Sequence, residues 1–97
     1  MHLVTLRPKA EIDLQQARDW YDRQRSGLGD EFLDAFKDLC RQIATNPEMF
    51  AVVSPGVRRV KLRTFPYVVY YRVVSTRIEV VGILHGSRDP RIWKRRI

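Results

Sequence analysis

The hydrophobic rhythm of this chain changes once, at Asn46-Pro47, and that change restricts the available folds more than any other feature. Before it, apolar residues return every three or four positions. Ala10, Leu14, Ala17 and Tyr21 fall on one helical face, with Trp20 at its flank. Phe32, Ala35, Phe36, Leu39 and Ile43 form a second stripe. Pro8 suits a first helical turn, where a missing N–H costs little. Ser26-Gly27-Leu28-Gly29 breaks the pattern, and Gly27 can take the left-handed backbone that ends helices. Asp30 is placed to cap the second helix, and Glu31 suits its positive end. Two amphipathic helices with a short link form an antiparallel hairpin. The surrounding charged residues, Asp13 among them, read as its solvent face.

After Pro47 the period becomes two. Ser54-Pro55-Gly56 reads as a turn. Over residues 57–63, Val60 and Leu62 point one way and Arg59, Lys61 and Arg63 the other. Thr64-Phe65-Pro66 connects to the next run. There Tyr67, Val69, Tyr71 and Val73 share one face, and Val68, Tyr70, Arg72 and Val74 share the other. Beyond the Ser75-Thr76 turn, Ile78, Val80, Gly82 and Leu84 alternate against Glu79, Val81, Ile83 and His85. Residues 2–6 add a short strand at the start. The order β-α-α-β-β-β predicts an α+β fold, a helical hairpin packed on an antiparallel-rich sheet. Residues 1–97 read as one domain, with no linker or internal repeat. The tail from Gly86 is basic and carries Trp93. Pro90 starts a last helical turn there, or the tail stays flexible.

Charge follows the same boundary. Residues 1–50 hold seven Lys/Arg against nine Asp/Glu, a net of −2, and residues 51–97 hold eleven against two, a net of +9. A basic half built of strands can gather its charge on one sheet face, which suits an acidic or polyanionic partner. Cys40 is the only cysteine, so neither an internal disulfide nor a cysteine-rich zinc site is available. It lies in an apolar helical pattern and reads as an inert buried thiol. His2 and His85 are far apart and match no metal-binding spacing, so no metal and no cofactor are expected. No apolar run is long enough for a membrane span. The first residues meet charge too early for a secretory signal, so the cytoplasm is the expected compartment.

The residues that carry chemistry are Arg59, Lys61, Arg63, Tyr70, Arg72, His85 and Arg88, continued by Arg91 and Trp93 in the tail. Cations around an aromatic ring suit phosphate binding with base stacking. They also suit stabilising a pentavalent phosphate during RNA cleavage, with His85 as acid or base. The plainer reading is that an exposed antiparallel sheet face is simply charged.

Four segments then point to a family. GLGDEFLDAF (27–36), NPEMF (46–50), VRRVKLRTFPYVVYYRV (57–73) and VVGILHGSRDPRIWKRR (80–96), in that order, resemble the ParE/RelE toxin superfamily of type II toxin–antitoxin modules, also known as plasmid-stabilisation proteins. The resemblance spans nearly the whole chain and implies the same β-α-α-β-β-β fold. It implies two activities: RelE-like members cut mRNA on the ribosome, and ParE-like members poison DNA gyrase without the nuclease residues. The nuclease branch uses basic residues on its second strand, an Arg opening the third, an Arg after the last and often a C-terminal Tyr. Arg59, Lys61 and Arg88 match three of these, and His85 lies near a histidine that some nucleases use. The third-strand Arg position holds Val68, and no Tyr follows Tyr71. Pro66-Tyr67 and Asp89-Pro90-Arg91-x-Trp93 are closer to ParE. The resemblance therefore implies a gyrase-inhibiting toxin neutralised by a cognate antitoxin. Arg59, Lys61, Arg63, Tyr70, Arg72, Arg88, Arg91 and Trp93 would meet antitoxin or target. The alternatives are a ribosome-dependent endonuclease using Arg59, Lys61, His85 and Arg88 on mRNA, or a degenerate toxin retaining only antitoxin binding. No membrane partner is implied, and operator DNA would be bound by the complex rather than by this chain alone.

Overall fold

The computed structural model describes residues 2–97. Its elements are β1 (Leu3–Leu6), α1 (Pro8–Gln24), α2 (Leu28–Thr45), β2 (Ala51–Ser54), β3 (Val57–Lys61), β4 (Tyr67–Val74), β5 (Arg77–His85) and α3 (Arg91–Lys94). The strands form one mixed sheet in the order β1-β5-β4-β3-β2. β2 to β5 make an antiparallel meander, and β1 joins it parallel to β5. The two long helices cover one face, the front, and α3 packs on the back. The α+β hairpin-on-sheet architecture is the one the sequence predicts, with one added strand, and of the two readings of the tail the helical turn after Pro90 is the one formed. β2 replaces what reads as a link, because its three adjacent apolar residues are exposed on an edge strand and show no alternation. The tail forms α3 and is docked, not free.

The two helices meet where Gly29 allows. A Cβ there would lie 2.6 Å from the Arg18 carbonyl, so any other residue would push the hairpin apart. The cap also differs from expectation. Asp22 at the end of α1 accepts the Gly27 and Gly29 N–H groups at 3.0 and 3.2 Å, satisfying free donors at the start of α2. Asp30 is left to pair with Arg18 at 2.8 Å.

The helical stripes predicted from spacing close the front core. Tyr21, Phe32, Phe65 and Tyr67 pack ring on ring at centroid distances of 4.9 to 6.0 Å, over Val69, Tyr71, Ile78 and Ile83. Tyr71 is fully buried and donates its hydroxyl to the Pro47 carbonyl at 2.5 Å, which fixes the turn after α2.

One strand departs from simple alternation. Tyr70 pairs with Gly82 and Tyr71 with Val80, so Val81 is an extra residue on β5. This bulge reverses the facing of everything beyond it. Ile83 joins the front core and Leu84 the back, where uninterrupted alternation puts them the other way round. His85 consequently stands on the front, against Tyr67 at 5.4 Å. No helix is long and apolar enough to cross a membrane among the described residues.

Candidate functional site

The residues singled out by sequence are distributed over four places. The first is an open groove of about 1080 Å³ between α2 and β3. Its floor is apolar, with Leu28, Ala35, Leu39, Phe50, Val60 and Phe65. Its rim is charged: Glu31, Asp34, Asp38 and Arg41 on the helix, Lys61 and Arg63 on the strand side, with Glu31 paired to Arg25 and Asp38 to Arg41. Lys61 folds its ammonium back to donate to the Leu62 carbonyl at 3.1 Å.

The second place is the back face. Arg59 lies across from Tyr70 in the β3–β4 register, its guanidinium 5.8 Å from the ring centre. Tyr70 stacks on Trp93 at 5.1 Å and 19°, and the Lys94 ammonium sits 5.7 Å from the Trp93 ring centre. The two stacked rings thus each have a cation near them, Arg59 by Tyr70 and Lys94 by Trp93, and a positive charge is attracted to an aromatic face. Tyr70 and Trp93 are 7% and 2% exposed. These two expected contact residues are therefore core residues of the docked tail, with no free ring face for a partner. Val68, at the family's third-strand Arg position, is sealed in the same back core.

Third, Glu79 draws in three arginines. Arg72 lies at 3.0 Å, Arg7 at 3.1 Å and Arg77 at 3.9 Å. One carboxylate cannot neutralise three guanidinium groups, so this end of the sheet keeps a positive excess. Arg91 is turned to Asp89 at 2.6 Å, which holds the Asp89 carboxyl below its ordinary range through that hydrogen bond.

The fourth place is a cleft of about 340 Å³ between α1 and the end of β5, lined by Trp20, Arg23, Tyr67, His85 and Arg88 among others. Ser87 N–H donates to His85 Nδ1 at 3.1 Å, so the ring proton of the neutral imidazole sits on Nε2. Burial holds the Tyr67 phenol above its ordinary value, opposed by Arg88 and reinforced by Asp13.

His85 and Arg88 thus share a cleft beside α1, whereas Arg59 stands on the reverse of the sheet beneath α3. The four residues of the nuclease alternative are not brought together. The bulge at Val81 is the cause, since it carries His85 to the other face.

The pairing of two residues beside this cleft escaped the sequence reading. Asp13 and Arg96 form an ion pair at 2.5 Å, 11% and 12% exposed. Asp13 also accepts the Ile83 N–H at 3.0 Å, and Arg96 donates to the Val81 carbonyl at 3.2 Å. Arg7 in turn donates to the Arg96 carbonyl. The pair satisfies backbone groups of β5 where β1 has ended, and it ties α1, the bulge and the tail together. A Cβ on Gly82 would come within 3.2 Å of the Arg96 guanidinium, so the glycine leaves its passage open. Asp13 is not a solvent-face residue. No local pattern marks the pair, because its members are 83 positions apart. Among the described residues no three His, Cys, Asp or Glu side chains converge as a metal site.

Comparison with known proteins gives a consistent picture. Residues 4–90 match the family of the ParE toxin of the type II toxin–antitoxin system parDE. Toxin ParE2 of Mycobacterium tuberculosis is 30% identical over 81 residues, covering 82% of this chain and 77% of that protein. Among solved structures, the chromosomal ParDE toxin–antitoxin system from P. aeruginosa aligns with a TM-score of 0.64 at 23% identity, over 88% of this chain and 96% of that one. The isolated E. coli RelE toxin aligns at 0.68 and 15% identity, over 98% and 95%. A RelE mutant in complex with an antitoxin RelBc peptide aligns at 0.66 and 13% identity, over 99% and 94%. All three solved structures bear on the fold alone.

Proposed function

This chain belongs to the ParE toxin family of type II toxin–antitoxin systems, and from that premise we propose that it inhibits DNA gyrase and is silenced by a cognate antitoxin. The observation that carries the gyrase reading is negative for the nuclease chemistry. Val68 lies in the back core, and His85 and Arg59 occupy opposite faces of the sheet. Stabilising a transferring phosphate needs cations and a proton carrier converging on one point. The residues present suit binding a large acidic or nucleoprotein surface instead.

For the antitoxin, the groove between α2 and β3 offers what an amphipathic segment needs. Leu28, Leu39, Phe50 and Phe65 would take apolar anchors, and Lys61 and Arg63 would take its carboxylates. Arg59, Arg72, Arg88 and Arg91 supply the remaining positive surface. The cytoplasm, where gyrase and DNA are, is the proposed compartment. Operator binding is assigned to the toxin–antitoxin complex.

The test is purified protein added to gyrase and relaxed plasmid. Supercoiling should fall, cleaved gyrase–DNA complex should accumulate, and the antitoxin should reverse both. Unchanged supercoiling with arrested growth on overexpression would redirect attention to the ribosome, where primer extension on translated mRNA would reveal A-site cuts. Unimpaired growth on overexpression would leave only antitoxin binding.

A further inference from the structure

The turn after β5 is pinned from three sides. The Gly86 N–H donates to the Pro66 carbonyl at 2.7 Å, and the Arg88 N–H donates to the His85 carbonyl at 2.9 Å. The Ser87 N–H donates to His85 Nδ1 at 3.1 Å. One fixed turn therefore holds both His85 and Arg88. With Nδ1 spent, the neutral imidazole offers the cleft its Nε2–H, which has no partner among the described residues. Tyr67 completes this wall, its ring edge-on to His85 at 5.4 Å.

The facing wall is one stripe of α1. Gln16, Trp20 and Arg23 follow at steps of four and three, so they share a helical face. From Gln16 to Arg23 is seven residues, about 10 Å along the axis. Asp13 bonds Ile83, and Tyr21 reaches Tyr67, the strand partner of His85. Arg23 therefore lies toward the turn and Gln16 away from it. Trp20 is 49% exposed, and its ring meets Tyr21 edge-on at 5.1 Å and 86°. Arg23 and Arg88 have no carboxylate partner among the described residues. The one carboxylate in the cleft, Asp13, is held by Arg96 at 2.5 Å.

An open indole with unpaired guanidinium groups at one end suits a ligand that is flat at one end and dianionic at the other. Guanidinium groups match the oxygens of a phosphate, and an indole takes a flat ring by stacking. The Gln16 amide is both donor and acceptor, and its side chain has no partner among the described residues. It suits a ring that carries donors and acceptors on its edge, as a nucleobase does and a phenyl ring does not. A cleft of about 340 Å³ is at the small end of ligand sites, which fits one nucleotide.

We propose that this cleft binds a single nucleotide through its terminal phosphate and its base. The base stacks on Trp20 with its edge at Gln16. The phosphate meets Arg23 and Arg88 and accepts the His85 Nε2–H. A free nucleotide and the phosphorylated end of a strand present the same chemistry. Neither gyrase nor antitoxin takes part, so failure here leaves the reading above standing.

The experiment is a titration of the 15N-labelled protein with adenosine monophosphate, followed by NMR. The Trp20 indole and His85 ring signals should shift while the Trp93 indole stays. Adenosine and ribose phosphate, each lacking one end of the ligand, should bind about tenfold more weakly. Arg23 and Arg88 are exposed, so the double variant Arg23→Ala, Arg88→Ala should keep the fold and lose about tenfold in affinity. Trp20→Ala should lose a similar factor, and Trp20→Phe, which keeps a stacking ring, should recover most of it. A deoxyadenosine hexamer carrying a terminal phosphate separates the sources. Tighter binding than the mononucleotide assigns a strand end, and weaker binding assigns the free nucleotide. Equal binding of ribose phosphate overturns the proposal, because the cations would then be acting alone. Equal binding of phosphotyrosine, or of the hexamer without its terminal phosphate, overturns it too. So does a Trp20 indole that neither nucleotide moves.

Discussion

The two faces of the sheet are closed by opposite means. The front is covered by two long helices whose stripes repeat in the sequence, and its core is a continuous cluster of rings and branched chains. The back is closed by a four-residue helix, one buried indole and an ion pair at its edge. The front holds because many weak contacts add up. The back depends on a few partners that are distant in sequence. A face closed this way has little redundancy.

The largest effect expected tests the front. Phe32→Ala removes a ring that is fully buried and touches Tyr21, Phe65 and Tyr67, and should cost about 4 kcal/mol in urea unfolding. Next is the edge of the back. Arg96→Ala leaves the Asp13 carboxylate without its cation and the Val81 carbonyl without its donor, a loss of about 3 kcal/mol. Adding Asp13→Asn to that variant should recover part of it, and no recovery would mean the pair is not the tie described. Trp93→Ala should cost only about 2 kcal/mol, because α3 can undock without unfolding the rest. Its signature is local: faster hydrogen exchange and greater solvent access at Tyr70, with the front core unaffected. A Trp93→Ala loss as large as that of Phe32→Ala would erase the contrast between the faces.

At neutral pH the smallest effect is that of Cys40, whose contribution changes only in alkali. Burial pushes the Cys40 thiol up to about 11 from 9.0. The unfolded chain therefore releases this proton before the folded one. Stability should be level below pH 9, fall between 9 and about 11, and level off above. Tyr21, Tyr67 and Tyr71 shift in the same direction, so the Cys40 contribution is the difference between the parent and Cys40→Ala in urea titrations across that range.

The sequence makes the front legible and the back much less so. Phe32, Phe36, Leu39 and Ile43 announce their face by spacing alone, and so do Val69 and Tyr71 on their strand. β2 is missed because Ala51, Val52 and Val53 are exposed together on an edge. The facing of Ile83, Leu84 and His85 is missed because a bulge is a property of two paired strands, and one strand alone carries no sign of it. Tyr70 and Trp93 look like binding aromatics for the same reason: each is covered by the other, across a separation that no periodicity reports. The candidate site suffers most, since its assembly depends on that bulge and on the Asp13–Arg96 pair.

The parallel placement of β1 has a kinetic consequence. The meander from β2 to β5 joins neighbours along the chain, whereas Leu3 must wait for Arg77 before it has anything to pair with. Contacts of such long sequence separation form late, because the loop they close must be paid for first. The cleft beside α1 takes its shape only when β1 and β5 have met and Arg96 has reached Asp13. This surface is therefore expected to form after the hairpin and the meander, and pulse-labelled hydrogen exchange should show β1 amides protected later than those of β4.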